Sequence, residues 1–156
     1  MTAPPRNRDQ RRRDTLHRLE HDVDAWVATA DPATGTPYLV PLSYLWDGRT
    51  LLFATTAASP TGRNLQATRR ARVGIGPTRD LVLVEASLQS VVAATDIASD
   101  VGDTFAAKTG FDPRELSTPY LYFHLRPHRL QAWREANELA GRDLMRDGEW
   151  LDADPS

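Results

Sequence analysis

The sequence contains no cysteine, which excludes disulfide bonds, thiolate metal sites and cysteine nucleophiles. Lys108 is the only lysine among the nineteen Lys and Arg residues. No apolar run approaches the length of a transmembrane helix, and a formal net charge of -2 gives no broad basic field for nucleic acid. We therefore expect a cytoplasmic protein with neither a membrane nor a nucleic-acid partner.

What the sequence does contain is typical of one globular domain: 156 residues, of which 40% are hydrophobic and 26% charged. Arginines crowd the first 13 residues, and a basic arm for nucleic acid is one interpretation of them. We favour a flexible, solvated leader over 1–13, followed by a short amphipathic helix over 14–22. The domain is then expected over 14–151, with a tail over 152–156.

Alternating and apolar runs separated by turn residues predict strands over 25–30, 38–46, 50–55, 71–76 and 81–94. Two late strands, 120–127 and 128–133, are predicted to be split by Pro127. Ile97, Val101 and Phe105 repeat at helical spacing before Gly110, which is suited to end a helix. About six strands joined mostly by short turns predict a mainly β (α+β) fold, an antiparallel barrel with a few peripheral helices.

The segment TTAASPTGRNL (55–65) follows the apolar run 51–54 and concentrates small polar side chains in one turn. Ser59 followed by Pro60 is a helix-start signal, with a capping hydroxyl and then proline at the first helical position. A helix N-terminus with nearby hydroxyls and the Arg63 guanidinium suits a phosphate monoester. The alternative is a capped surface helix with a solvated arginine.

The strand before this turn, 38–46, has a proline inside it. Its alternation places Tyr38, Val40, Leu42, Tyr44 and Trp46 on one face and Leu39, Pro41, Ser43 and Leu45 on the other. Proline removes a ladder donor, so it belongs at edges or bulges. Such a strand either presents backbone amides and Ser43 to a flat heteroaromatic ligand or is an ordinary edge strand.

A metal site is not expected. His124 and His128 have a spacing that suits metal binding on a helix, but Pro127 and the β-rich residues around them argue against a helix.

Three segments together resemble the split β-barrel flavoproteins related to pyridoxamine 5'-phosphate oxidase. They are AWVATADPATGTPYLVPLSYLWDG, LLFATTAASPTGRNLQATRRARVGIG and RLQAWREANELAGRDL, and the resemblance runs over 25–151. It implies a split barrel and a homodimer with two cofactor sites at the subunit boundary.

The resemblance also implies the residues that bind the cofactor. The turn holds the phosphate of a flavin or deazaflavin, the strand before it lies along the ring, and a late tryptophan and arginine reach the cofactor from the partner subunit. The corresponding residues here are Thr55, Thr56, Ser59, Thr61, Arg63 and Asn64 for the phosphate, Val40, Pro41, Leu42 and Ser43 for the ring, and Trp133 and Arg142 from the partner.

The sequence also departs from this pattern. The oxidases carry an arginine-leucine-histidine run that grips the vitamin substrate, whereas this chain reads Arg142-Asp143-Leu144-Met145. Only one cation, Arg63, precedes Asn64 in the phosphate turn. Oxidation of pyridoxamine phosphate is therefore not expected, and no catalytic residue is predicted.

The resemblance leads us to expect an FMN-dependent oxidoreductase acting on a small organic molecule. A coenzyme F420-dependent reductase on the same fold is the alternative. Its acidic tail would gain from a basic groove, and Arg69, Arg70 and Arg72 either line such a groove or form a solvated charge run. A second alternative is a non-catalytic cofactor-binding or storage protein.

Overall fold

The computed structural model describes residues 1–152, so all of the predicted tail except Asp152 lies outside the described residues. The elements, in chain order, are α1 (Arg8–His21), β1 (Asp24–Ala30), β2 (Pro37–Trp46), β3 (Leu51–Thr56), α2 (Pro60–Thr68), β4 (Arg70–Ile75), β5 (Leu81–Ala93), α3 (Ser99–Thr109), β6 (Tyr120–Trp133), β7 (Asp143–Arg146) and β8 (Glu149–Trp150). The predicted strands corresponding to β1 through β5 are confirmed to within one residue at each end. No helix among the described residues is long and apolar enough to cross a membrane.

Six antiparallel strands close into a barrel. Their order is β3-β2-β1-β4-β5-β6, and the pairing of β3 with β6, from Leu51↔Leu125 to Thr56↔Tyr120, completes the circle. Inward-facing side chains such as Tyr44, Phe53 and Phe123 are at most 1% exposed and form the core. The predicted antiparallel barrel with peripheral helices is confirmed, and burial of these alternate residues is what stabilises it.

The barrel is split along half of β2. This strand pairs with β1 from Pro37 to Ser43 but with β3 only from Tyr44 to Trp46. Pro41 lies in the half that has a strand on one side only, so its missing N–H removes no ladder bond. This segment has a free edge, as one sequence interpretation predicts, because β3 pairs only with the second half of β2. It does not have a free edge because β2 lies at the end of the sheet.

The three α-helices pack on different parts of the barrel. Leu19 of α1 and Leu65 of α2 both join the main core. Phe105 of α3 packs edge-on against Tyr122 of β6, with ring centroids 5.4 Å apart, in a second apolar cluster outside the barrel. Gly110 caps α3 with φ of 74°, as the sequence predicts.

The N-terminal segment is more ordered than we expect from the sequence. The first helix begins at Arg8, six residues before the predicted start, with Asn7 as its N-cap. Arg6 pairs with the buried Glu138 through Nη2–Oε2 at 2.8 Å, and Arg11 donates to the carbonyls of Ala132, Glu138 and Gly141. The prediction of a solvated leader was wrong for these residues, because their partners lie more than a hundred residues away.

The C-terminal half differs from prediction at Pro127, which does not split the strand. β6 is continuous, and a bulge beside Glu85/Ala86 of β5 absorbs the residues around Pro127. The β7–β8 hairpin was not predicted. Its turn is Asp147-Gly148, with φ of 53° and 80°, which is the dipeptide signal that would have identified it.

Candidate cofactor site

The turn between β3 and α2 is organised around the Ser59 side chain. Ser59 caps α2, accepting from Gly62 N at 3.0 Å and donating to Thr56 O at 2.8 Å. Thr55 Oγ1 lies 3.0 Å from Ser59 Oγ, and since the Ser59 proton is already donated, Thr55 is the donor of that bond. One donated and two accepted bonds saturate the Ser59 hydroxyl, so its role is to shape the turn.

Gly62 makes this close turn possible. A Cβ at this position would lie 2.1 Å from Thr56 O and 3.1 Å from Ser59 Oγ. Every other residue type would therefore push the β3 end away from the helix. Sequence reasoning did not name Gly62 as a site residue, although a glycine inside a helical segment is a signal of close backbone approach.

Arg63 and Thr56 carry the donors that remain at this turn. Arg63 is exposed, and its Nη1 donates to Ala58 O at 2.7 Å, which holds the guanidinium beside the N-terminus of α2. The Thr56 hydroxyl has no hydrogen-bond partner among residues 1–152. A permanent cation with unused N–H groups, a free hydroxyl and the positive end of a helix dipole together favour an anion here.

Two of the predicted phosphate residues are buried, and one of them bonds to the barrel. Thr61 and Asn64 are 2% and 5% exposed, and Asn64 Nδ2 donates to Thr29 Oγ1 of β1 at 3.1 Å. In this geometry Asn64 ties α2 to the barrel wall. Thr61 is buried in the first turn of the helix, with its side chain withdrawn from the solvent that reaches Arg63.

The unpaired half of β2 adjoins this turn. Tyr44 N donates to Val23 O, on the side of β1, so the backbone groups of Ser43, Pro41 and Leu39 point the other way. The β2–β3 ladder stops at Tyr44↔Phe53, and β3 reaches the turn at Thr56 three residues later. These backbone groups therefore line the split where β3 diverges, and can bond the polar edge of a flat ring.

The side chains of the predicted ring segment lie on both faces of β2. Val40 and Leu42 face inward and pack against the core, while Pro41 and Ser43 face outward. Ser43 Oγ donates to Asp24 Oδ1 at 2.6 Å. This bond fixes the hydroxyl on the outer surface of the barrel.

Trp133 and Arg142 contact each other but lie far from the turn in the same chain. The Arg142 guanidinium carbon is 5.9 Å from the Trp133 ring centroid. Trp133 ends β6, whereas Tyr120, which starts that 14-residue strand, pairs with Thr56 at the turn. A strand of this length spans roughly 40 Å, so the chain does not place this pair beside its own turn.

An apolar surface lies on the outside of β1 and β2. Trp26 is 53% exposed and Leu39 is 60% exposed, and Trp26 pairs directly with the exposed Pro41. Tyr44, in contrast, is fully buried in the core. The face of β2 that carries Val40, Leu42 and Tyr44 is thus the one that packs against the core.

The arginines after the turn are mostly engaged within the chain. Arg69 Nη2 donates to Leu88 O at 2.8 Å, and Arg72 pairs with Glu85 at 2.6 Å. Arg70 is exposed on the outer face of β4. Of the three cations considered for an acidic tail, only Arg72 therefore has its charge paired with a carboxylate.

The two histidines lie on strand β6, not on a helix, as expected. His124 Nδ1 is 3.2 Å from Ser90 Oγ, and His128 Nε2 contacts Ser87 Oγ. Burial lowers the pKa of His124, although the nearby Asp47 carboxylate opposes this. No group of three or more His, Asp or Glu side chains suited to a metal ion occurs among the described residues.

Comparison with known proteins agrees with this architecture. The family model described as pyridoxamine 5'-phosphate oxidase matches residues 17–134. The comparison with curated proteins returns no match.

Solved structures share the fold at low sequence identity. A structure described as an F420 reductase is 19% identical with a TM-score of 0.57, covering 73% of this chain and 93% of that one. General stress protein 26 from Bacillus anthracis is 15% identical with a TM-score of 0.60, covering 80% and 93%. A FAD-binding protein from Mesorhizobium loti is 17% identical with a TM-score of 0.59, covering 76% and 89%.

At these identities the solved structures show the fold alone, whereas the family model spans most of the barrel from α1 to the end of β6. The chain belongs to the pyridoxamine 5'-phosphate oxidase family.

Proposed function

We propose that the protein binds FMN at the β3–α2 turn and catalyses a redox step on a small organic molecule as a homodimer. The observation that carries this proposal is the turn itself. Ser59 and Gly62 draw the end of β3 onto the first turn of α2, and Arg63 is held beside it with unused donors. A phosphate monoester is the ligand that this combination of a helix N-terminus and one fixed guanidinium suits best.

The residues fit a flavin phosphate in a specific way. Arg63 and Thr56 would contact the phosphate, Ser59 and Gly62 would shape the turn that receives it, and the backbone at Ser43 and Leu39 would bond the ring edge. When bound, the isoalloxazine ring supplies the capacity to accept or give a hydride. The chain contributes binding, orientation and exclusion of water.

The second subunit has a defined task in this proposal. The exposed Trp26 and Leu39 would be buried against the partner, and the partner's Trp133 and Arg142 would complete the site. In one chain the length of β6 separates these groups from the turn, so the site is incomplete without the partner.

The substrate is not expected to be a phosphorylated vitamin. Where the oxidases carry a histidine-containing run, Leu144 and Met145 are buried here, and Asp143 pairs with Arg129 and Arg146. This stretch forms strand β7 and leaves no group to grip such a substrate.

FMN is favoured over coenzyme F420 because the basic run after the turn is partly neutralised. FMN ends at its phosphate, whereas the deazaflavin continues into an acidic tail, and the charge of Arg72 is already paired with Glu85. The exposed Arg70 and the structural likeness to an F420 reductase keep the deazaflavin as the second candidate.

Parallel titration separates the two cofactors. The apoprotein is titrated with FMN and with coenzyme F420, following the fluorescence of each ligand. We expect saturable binding of FMN with the lower Kd. Tighter binding of F420 reverses the choice of cofactor, and failure to bind either one contradicts the proposed function.

A further inference from the structure

A cavity lies at the opposite end of β3 from the cofactor turn. It has a volume of about 480 Å³ and is bounded by the β2–β3 turn on one side and the β7–β8 turn on the other. Its volume is within the range of cavities that hold small organic ligands. Thr50, which lines this cavity, directly precedes β3, and Thr56 ends that strand at the cofactor turn, a span of roughly 20 Å.

Two arginines whose side chains have no bonding partner among the described residues face this cavity. Arg49 and Arg126 both line it, and neither guanidinium forms a hydrogen bond or ion pair with another described residue. Arg6 and Arg18, which line another cavity, are by contrast held by carboxylates. The Arg126 guanidinium lies beside Gly148, where an added Cβ would be 3.7 Å from Nη2.

The one acid in the lining does not neutralise these cations by contact. Asp47 Oδ1 accepts from the N–H groups of Arg49 and Thr50 at 2.8 and 2.6 Å, and Oδ2 accepts from Thr50 Oγ1 at 2.7 Å. Both carboxylate oxygens are therefore engaged in shaping the β2–β3 turn. The two guanidinium groups keep their donors available to a ligand.

Besides the polar Thr50 and Gln89, the remaining lining includes two tryptophans and a methionine. Trp46 and Trp150 are half-buried, pack against the main core and line the cavity. The buried Met145 of β7 also lines it. Arg12 lies over the Trp150 ring at 4.7 Å from its centroid and helps to hold that indole in place. Indole rings provide flat apolar surface, and arginine forks pair with carboxylates in the same plane.

We propose that this cavity binds a planar aromatic monocarboxylate, with its ring against Trp46 and Trp150 and its carboxylate on Arg49 and Arg126. The site is separate from the cofactor turn and does not depend on the cofactor that the turn takes. It gives the protein a second ligand-binding position in each chain.

The test uses the full chain and 2-naphthoate as the probe, with uncharged 2-naphthamide as its matched ligand. The four tryptophan side chains give four indole N–H signals in a ¹H–¹⁵N spectrum, assigned by single Trp→Phe variants. We expect 2-naphthoate to shift the Trp46 and Trp150 signals saturably and to leave those of Trp26 and Trp133 unmoved. Removing one of two charged contacts by Arg126→Gln should raise the Kd on the order of tenfold, as should the change to the amide.

Arg13→Gln is the control variant, because Arg13 is an exposed arginine on α1 that does not line the cavity and, among residues 1–152, bonds only Gln10. It should bind 2-naphthoate as the wild type does. Equal affinity of Arg126→Gln and wild type would overturn the proposal, as would a Kd above about 1 mM for the wild type. Shifts confined to Trp26 and Trp133 would place the acid outside this cavity and would equally refute it.

Discussion

Gly62→Ala tests whether the close β3–α2 turn is the feature on which cofactor binding depends. The new Cβ would lie 2.1 Å from Thr56 O, more than an ångström inside an ordinary carbon–oxygen contact of about 3.3 Å. The turn must open, which breaks the bonds from Ser59 N and Oγ to Thr56 O and from Gly62 N to Ser59 Oγ. Three such bonds contribute roughly 3 kcal/mol together, and alanine's better helix propensity returns about 1 kcal/mol.

We therefore expect Gly62→Ala to lower the free energy of unfolding by about 2 kcal/mol and to weaken FMN binding at least tenfold. Urea unfolding and fluorescence titration measure the two effects. Gly74→Ala is the matched control, because a Cβ there meets only Leu81 Cδ1 at 3.9 Å. If Gly62→Ala were as stable as the wild type and bound FMN equally well, the proposed role of the turn would be refuted.

Two further predictions concern acid stability and assembly. Hydrogen bonds from Arg6 lower the pKa of the buried Glu138 from 4.5 to about 2. The ionised Glu138 carboxylate therefore contributes about 3 kcal/mol to the free energy of unfolding. This contribution is full above pH 4.5 and is lost as the pH falls towards 2. Thermal unfolding across this range should show a decline that Glu138→Gln reduces; an equal decline in both proteins would contradict this assignment. Leu39→Asp should convert the dimer into a monomer, as measured by light scattering. Leu116→Asp, which changes another exposed leucine, should leave the dimer intact. A monomeric wild type at micromolar concentration would exclude the shared site.

Local signals in the sequence predict much of the fold because they act over a few residues. Ser59-Pro60 starts α2 and Gly110 ends α3, where capping and backbone conformation are decided by the residue itself. Alternation predicts which face of β2 is which, although it does not show that the aromatic face is the buried one. That requires knowing on which side the barrel closes.

Features that depend on distant partners could not be predicted in the same way. Arg6 and Arg11 are held by Glu138 and by carbonyls near the C-terminus. The residues next to Arg6 and Arg11 in the sequence do not indicate these distant partners. Pro127 is accommodated by a bulge that belongs to the pairing of two strands. At the site, residue types identified the polar turn, but only the geometry shows that Ser59 is saturated and that Asn64 faces β1.

The most direct test of the account is the affinity of Arg63→Ala for FMN. Arg63 is the one cation at the turn, and loss of a charged hydrogen bond costs roughly 1.5–3 kcal/mol, which corresponds to a tenfold to hundredfold rise in Kd. Arg13→Ala removes an exposed arginine from α1 and serves as the control for net charge. The account predicts that the Kd for FMN rises by this factor in Arg63→Ala and is unchanged in Arg13→Ala; an unchanged Kd in Arg63→Ala would contradict it.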